Sequence, residues 1–257
     1  MKNKTTIFYD FEATSVSRDA DCISVGLVAV TEKTVVLPNN IVNGNSDLVL
    51  RTKKEIEIKT FYAEFTDFEI NKCDDWVKEN VVGKLRLGYL KPNLISDVPI
   101  NGVDDVTDLN NIKLLGTTSH ISTHLKEWLS QFESIEFWAD FDVIDKPMLI
   151  DLIADWDFKK FDREGFGALI NETFYTESML LKIGLPKHLY NIKYDQFFDL
   201  HTLFKIKGID TDISREEFAF NKEENPLAPI WLQGRNKHTA LYDAYVSYLC
   251  YKKLMSL

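Results

Sequence analysis

Residues 23–30, ISVGLVAV, form a run without a single charge. Such a run reads as a strand covered on both faces, because a strand with a solvent side alternates polar and apolar residues. A strand of that kind lies inside a sheet with other elements packed over it, which commits the chain to a layered fold. Just upstream, residues 7–11 (IFYDF) form a second β-rich run that carries Asp10, with Glu12 immediately beyond. Residues two apart on a strand share a face and stand roughly 6–7 Å apart along it. Asp10 and Glu12 therefore point the same way, where two ionised carboxylates repel unless a cation lies between or beside them. Hard oxygen donors favour Mg²⁺ or Mn²⁺ over zinc. Taken alone, D-x-E also describes an edge strand with two solvated acids.

The remaining pattern alternates strand and helix signals. Residues 59–65 (KTFYAEF) are a third strand candidate, so the chain opens as a β-meander. Residues 31–59 mix turn formers with short β-prone pieces and read as an inserted hairpin or flap. Asp74 is placed to cap a helix through Trp76, Val77 and Val81. Residues 92–118 are loop-like, rich in Gly, Asn and Asp. Ile121, Leu125, Trp128, Leu129 and Phe132 keep helical spacing, with Ser119 or His120 near the start. Residues 135–139 (IEFWA) then read as a buried strand. Residues 144–156 follow as a helix in which Pro147 is acceptable only in the first turn. Helical segments are expected within 161–185 and over 197–206, and 210–229 reads as loop with a short turn. A last helix after Gly234 carries Leu241, Tyr245, Tyr248, Leu249 and Lys252 on one side. The expected class is α/β, a mixed central sheet flanked by helices. A single domain spans 1–257, with insertions at 31–59, 92–118 and within 158–229.

Composition narrows the function classes. At 257 residues and 45% hydrophobic, the chain can bury a sizeable core. No apolar run reaches the length of a membrane span, so no membrane partner and a cytoplasmic location are expected. Cys22, Cys73 and Cys250 form no CxxC pair, which suits a reducing compartment. A net charge of −10 argues against a broadly basic nucleic-acid-binding surface. It does not argue against a nuclease, whose carboxylates count as negative until cations load them.

Two further segments supply acids. Residues 135–153 (IEFWADFDVIDKPMLIDLI) offer Asp140, Asp142, Asp145 and Asp151. Asp145 is favoured because it lies near a helix start after a strand, with Leu149 one turn on as an anchor; Asp142 serves equally well as a cap. In the terminal stretch GRNKHTALYDAYVSYLC, Ala240, Asp243, Ala244 and Ser247 run along one helix side, whose small residues allow close approach to a sheet. His238 precedes that helix and can accept a proton near neutral pH, or simply cap it.

Together these pieces resemble the DEDD superfamily of 3′–5′ exonucleases, in its histidine-containing DEDDh type, which includes ribonuclease T and oligoribonuclease. Asp10 and Glu12 match its D-x-E motif, Asp145 with Leu149 its second motif, and His238 with Asp243 its H-x(4)-D motif. The blocks CISVGLVAV, FYAEFTDFEINKCDDWVKENVVGKL, IEFWADFDVIDKPML and HTALYDA are similar to the mycobacterial-type 3′–5′ exoribonuclease family. The resemblance implies a ribonuclease H-like fold and a two-metal phosphodiester hydrolase. Asp10, Glu12, Asp145 and Asp243 would hold two Mg²⁺ or Mn²⁺ ions, with His238 as the base that deprotonates the attacking water. Backbone around Phe11, Ala13 and Thr14 would meet the terminal nucleotide. The implied partner is single-stranded nucleic acid with a free 3′ end, RNA favoured, and relatives often form homodimers. Asp199 matches a supporting acidic position.

Two rival readings stay open: a single-stranded DNA exonuclease, and a non-catalytic nucleic-acid-binding protein on a nuclease fold. Trp138, beside Asp145, reads as core rather than a base-stacking platform. Arg235 and Lys237 suit either phosphate or solvent, and Trp231 has no evident setting.

Overall fold

The computed structural model describes residues 4–17, 19–36, 52–85, 87, 110–140, 142–154, 197–220 and 238–257. The helix expected within 161–185 and the positions of Trp231, Arg235 and Lys237 lie outside the described residues, as do large parts of the three insertions.

Among the described residues six strands form one mixed sheet: β1 (Lys4–Ala13), β2 (Cys22–Val36), β3 (Thr52–Phe65), β4 (Asn111–Gly116), β5 (Ser134–Ala139) and β6 (Phe197–Asp199), in the order β4-β3-β2-β1-β5-β6. The first three strands are an antiparallel meander, while β5 and β6 run parallel to β1 and β4 runs parallel to β3. Helices α1 (Asp75–Asn80), α2 (Thr118–Leu129), α3 (Asp142–Ala154), α4 (Leu200–Ile206), α5 (Arg215–Ala219) and α6 (Ala240–Ser256) flank it. The result is a mixed α/β fold with helices on both faces of a central sheet, an arrangement common to Rossmann-like and ribonuclease H-like architectures. Among the described residues no helix is long and apolar enough to cross a membrane.

Alternation along the strands explains why 23–30 carries no charge. Val25, Leu27 and Ala29 pack on one face with Leu125 and Trp128 of α2 and Leu149 of α3. Val28 packs on the other with Phe204 of α4, Phe218 of α5, and Leu241 and Ala244 of α6. Trp138 is buried, as the sequence reading favours. Its Nε1 donates to Glu136 at 2.5 Å, and its ring stacks on Phe198 at 5.0 Å. The second Glu136 oxygen pairs with Lys4.

Four local expectations are corrected. Residues 111–116, taken as loop, form edge strand β4, because Ile112 and Leu114 alternate inward beyond an Asn- and Asp-rich stretch. Residues 197–199, taken as helix, are β6, since Phe197 and Phe198 pair with β5 before Asp199 caps α4. Helix α3 begins at Asp142, two residues early, so Asp142 is its first residue rather than its cap and Pro147 lies inside it. That proline removes one hydrogen-bond donor from the helix. Trp76, expected on a buried stripe, is 53% exposed. Asp74 does cap α1, accepting from Val77 N at 2.7 Å, and Val77 and Val81 are buried. Trp76 precedes Val77 by one residue, about 100° around the helix, and so falls off their stripe.

Candidate metal centre

The lateral pairing of β1 with β5 ends at Phe8 opposite Trp138, so Asp10 and Glu12 stand beyond the last paired residues. They lie toward the carboxyl ends of the parallel strands β1 and β5, the end at which open α/β sheets bind ligands. Phe8 belongs to the core under α6, whereas Tyr9 and Phe11 belong to the opposite core. By strand alternation Asp10 and Glu12 therefore share the α6 face, as the D-x-E spacing requires.

Gly26 decides what reaches them. It pairs with Asp10 across β1 and β2. A Cβ on Gly26 would lie 2.2 Å from the Leu241 nitrogen and 2.4 Å from the Ala240 carbonyl carbon. The first turn of α6 thus rests on bare backbone of β2, with Ala240, Ala244 and Ser247 buried along the contact. Ahead of that turn His238 has φ 63°, in the left-handed region, and Thr239 is extended. The His238 backbone N–H donates to Asp243 Oδ2 at 2.8 Å, while Tyr242 and Asp243 donate to the Thr239 carbonyl. The H-x(4)-D spacing is the spacing of this folded-back helix start: the acid satisfies a backbone donor of the histidine preceding the cap. One donor atom from each of Glu12, His238 and Asp243 lies within 4.8 Å of the others, a cluster that could hold a metal ion.

Asp145 joins through α3. Its side chain is buried, and its charge acts on both Asp10 and Glu12. Burial pushes the Asp10 carboxyl well above its usual range, and the charges of Asp145, Asp243, Glu12 and Asp140 push it further. Burial also drives Glu12 up to about 8, with Asp243 and Asp145 adding to the shift and Lys84 opposing it. Crowded carboxylates that resist ionisation are what a divalent cation relieves.

No protein-family model matches the chain, and no curated protein sequence does either. The functional reading rests on the residues themselves.

Not every residue named from sequence serves the site. The Phe11 ring lies in the opposite core, so only its backbone is available there. Thr14 is buried. Its hydroxyl accepts from Asp21 N at 2.9 Å and its N–H donates to the Asp21 carbonyl, which closes the loop between β1 and β2. Ala13 follows a register shift at Glu12. Asp199 caps α4, its carboxylate accepting from His201 N at 2.7 Å and Thr202 Oγ1 at 3.1 Å. Conversely, sequence reasoning passed over three residues. Gly26 was hidden in an apolar run. Trp76 meets the His238 ring edge-on, centroids 5.0 Å apart. Lys84, in the 3-10 turn Val82–Lys84, brings a positive charge toward Glu12.

The raised acids set a pH dependence. The folded chain holds protons on Asp10 and Glu12 that the unfolded chain releases in the ordinary carboxylate range, near about 4. The stability they confer is therefore present in acid and lost as pH climbs through that range toward about 8. Asp151 adds the same sign: burial lifts it to about 8, and its buried Oδ1 has no hydrogen-bond partner among the described residues. In EDTA, Tm followed by circular dichroism is expected to fall between about pH 5 and about pH 9. Mn²⁺ should restore more of it at the alkaline end, because the ion competes with those protons. A Tm that climbs across this window in EDTA would show that the acids are not crowded.

Proposed function

We propose that the chain is a metal-dependent 3′–5′ exoribonuclease of the DEDDh type on a ribonuclease H-like fold, releasing nucleoside 5′-monophosphates from single-stranded RNA or 3′ overhangs. The observation that carries this reading is the convergence of Glu12, His238 and Asp243 from opposite ends of the chain, beside Asp10 and Asp145. Those are the positions that the D-x-E, second and H-x(4)-D motifs supply.

In this reading Asp10, Glu12, Asp145 and Asp243 hold two Mg²⁺ or Mn²⁺ ions. Bound there, divalent ions neutralise phosphate charge and acidify water. The protein's own groups do the rest. Asp243, fastened to the His238 backbone, keeps the imidazole over the cluster, and that ring takes the proton of the attacking water. Trp76, edge-on to the same ring, presents an exposed indole on which a terminal base can stack. Lys84 places an ammonium near Glu12, where a phosphate of the chain can meet it. Single strands fit because stacking requires an unpaired base. The preference for RNA rests on the resemblance to exoribonucleases.

Oligonucleotides labelled at the 3′ or the 5′ end, as RNA, DNA and duplexes with 3′ overhangs, test polarity, sugar and strand preference together. Mononucleotides released first from the 3′ end of RNA, only with Mg²⁺ or Mn²⁺, are expected. Faster trimming of DNA would reverse the sugar assignment, and no metal-dependent release from any polymer would favour a binding protein.

His238→Gly separates the roles of that residue. Glycine accepts the left-handed backbone without penalty, so the fold should hold or gain slightly. Mn²⁺ binding by calorimetry should persist while turnover falls about 10²–10⁴-fold, the usual contribution of a general base. Parallel loss of Mn²⁺ binding would make His238 a ligand instead of the base.

A further inference from the structure

We infer that α5, through the Arg215 side chain and the Arg215 and Phe218 carbonyls, forms a clamp that positions Asp145 and Asp243 against each other; the inference rests on the metal-centre reading. The two acids arrive from opposite faces of the sheet, since Leu149 of α3 packs in one core and Leu241 of α6 in the other. No single element sets the distance between them. Arg215 grips the first side. Its Nε donates to Asp140 Oδ1 at 2.5 Å, and its Nη1 donates to the carbonyls of Thr211 at 3.1 Å and Ile213 at 3.0 Å. The face of the guanidinium lies 4.3 Å from the Phe204 ring centroid. Asp140 directly follows the last residue of β5, on the way to α3 and Asp145. Its carbonyl also accepts from His201 N.

α5 grips the second side by bonding to α6, the helix that carries Asp243. Two backbone carbonyls of α5 complete the fastening: Arg215 accepts from Cys250 Sγ at 3.3 Å and Phe218 from Lys253 Nζ at 2.8 Å. A planar fork can bond a carboxylate and two carbonyls at once, which a lysine ammonium on a flexible stem cannot reproduce. Arg215 is thus a positioning residue, acting on the metal ligands through Asp140 and α5.

Calorimetric titration of the full chain with MnCl₂, alongside thermal melts and turnover, tests the clamp. The wild type should take up two ions. Arg215→Met should remain folded yet bind at least one ion about tenfold or more weakly, with turnover falling by a similar factor and KM for the oligonucleotide near wild type. Arg215→Lys should not rescue binding, whereas full rescue would show that only the charge beside Asp140 matters and would overturn the clamp. If Arg215→Met fails to fold, Lys253→Met releases the Phe218 carbonyl, the other jaw, without touching the Arg215 contacts and should weaken Mn²⁺ binding in the same direction. Unchanged Mn²⁺ affinity in a folded Arg215→Met, or failing that in Lys253→Met, overturns the clamp alone. A wild-type chain that binds no Mn²⁺ overturns the metal-centre reading, and the clamp falls with it.

Discussion

Replacing Gly26 by alanine is expected to lift the first turn of α6 off the sheet and to abolish metal binding at the proposed centre from a position bearing no functional group. The added methyl would lie 2.2 Å from Leu241 N and 2.3 Å from Leu241 Cα. These are backbone atoms, which cannot swing aside as the end of a flexible side chain can. Overpacking in a filled core costs about 1–3 kcal/mol, and backbone overlap on a helix start belongs at or above the upper end. For a chain of this size that is a Tm drop of roughly 6–12 °C. The functional loss should exceed the loss of stability, because Asp243 and His238 ride on the displaced turn while Asp10 and Glu12 stay on β1. Thermal melts and Mn²⁺ calorimetry on Gly26→Ala check both arms. A variant with wild-type Tm and Mn²⁺ affinity would show that α6 is not seated where the register places it.

The second large effect has the opposite sign on stability. Asp10 stands among Glu12, Asp145, Asp243 and Asp140, and both burial and those charges oppose its ionisation. Asp10→Asn imitates the protonated acid permanently. The metal-free variant should therefore match the wild type in acid and melt higher than it at alkaline pH, where the wild type is forced to ionise a crowded carboxyl. Mn²⁺ binding should fall by more than the about 10–100-fold that losing a supporting group costs, since the change removes a ligand. Turnover should fall with it, and Mn²⁺ should no longer raise Tm. A variant more stable without metal and inert with it marks a residue kept for function at the expense of the fold. Unchanged Mn²⁺ uptake would remove Asp10 from the ligand set.

Much of the fold could be read from local pattern. The charge-free run at 23–30 demanded a strand covered on both faces, and the core residues of β2 are shared between the two cores accordingly. Two-residue spacing put Asp10 and Glu12 on one face, and small residues along 240–247 foretold a helix pressed close to the sheet. Short elements were less legible. β4 and β6 hold their shape by pairing with strands far away in sequence, a stabilisation that no local window contains.

What the sequence determined by itself was the set of chemical groups and their local directions: two acids on one strand face, an acid near a helix start, and a histidine just ahead of a helix that carries an acid. Only the tertiary structure decided their company. It put Gly26 under Leu241, turned Trp76 outward against His238, sent Asp199 to cap a helix, and tied Asp140 to Arg215. Periodicity reports which way a side chain points within its own element. Which elements meet, and at what distance, follows from packing two faces of a sheet at once, and that constraint is non-local.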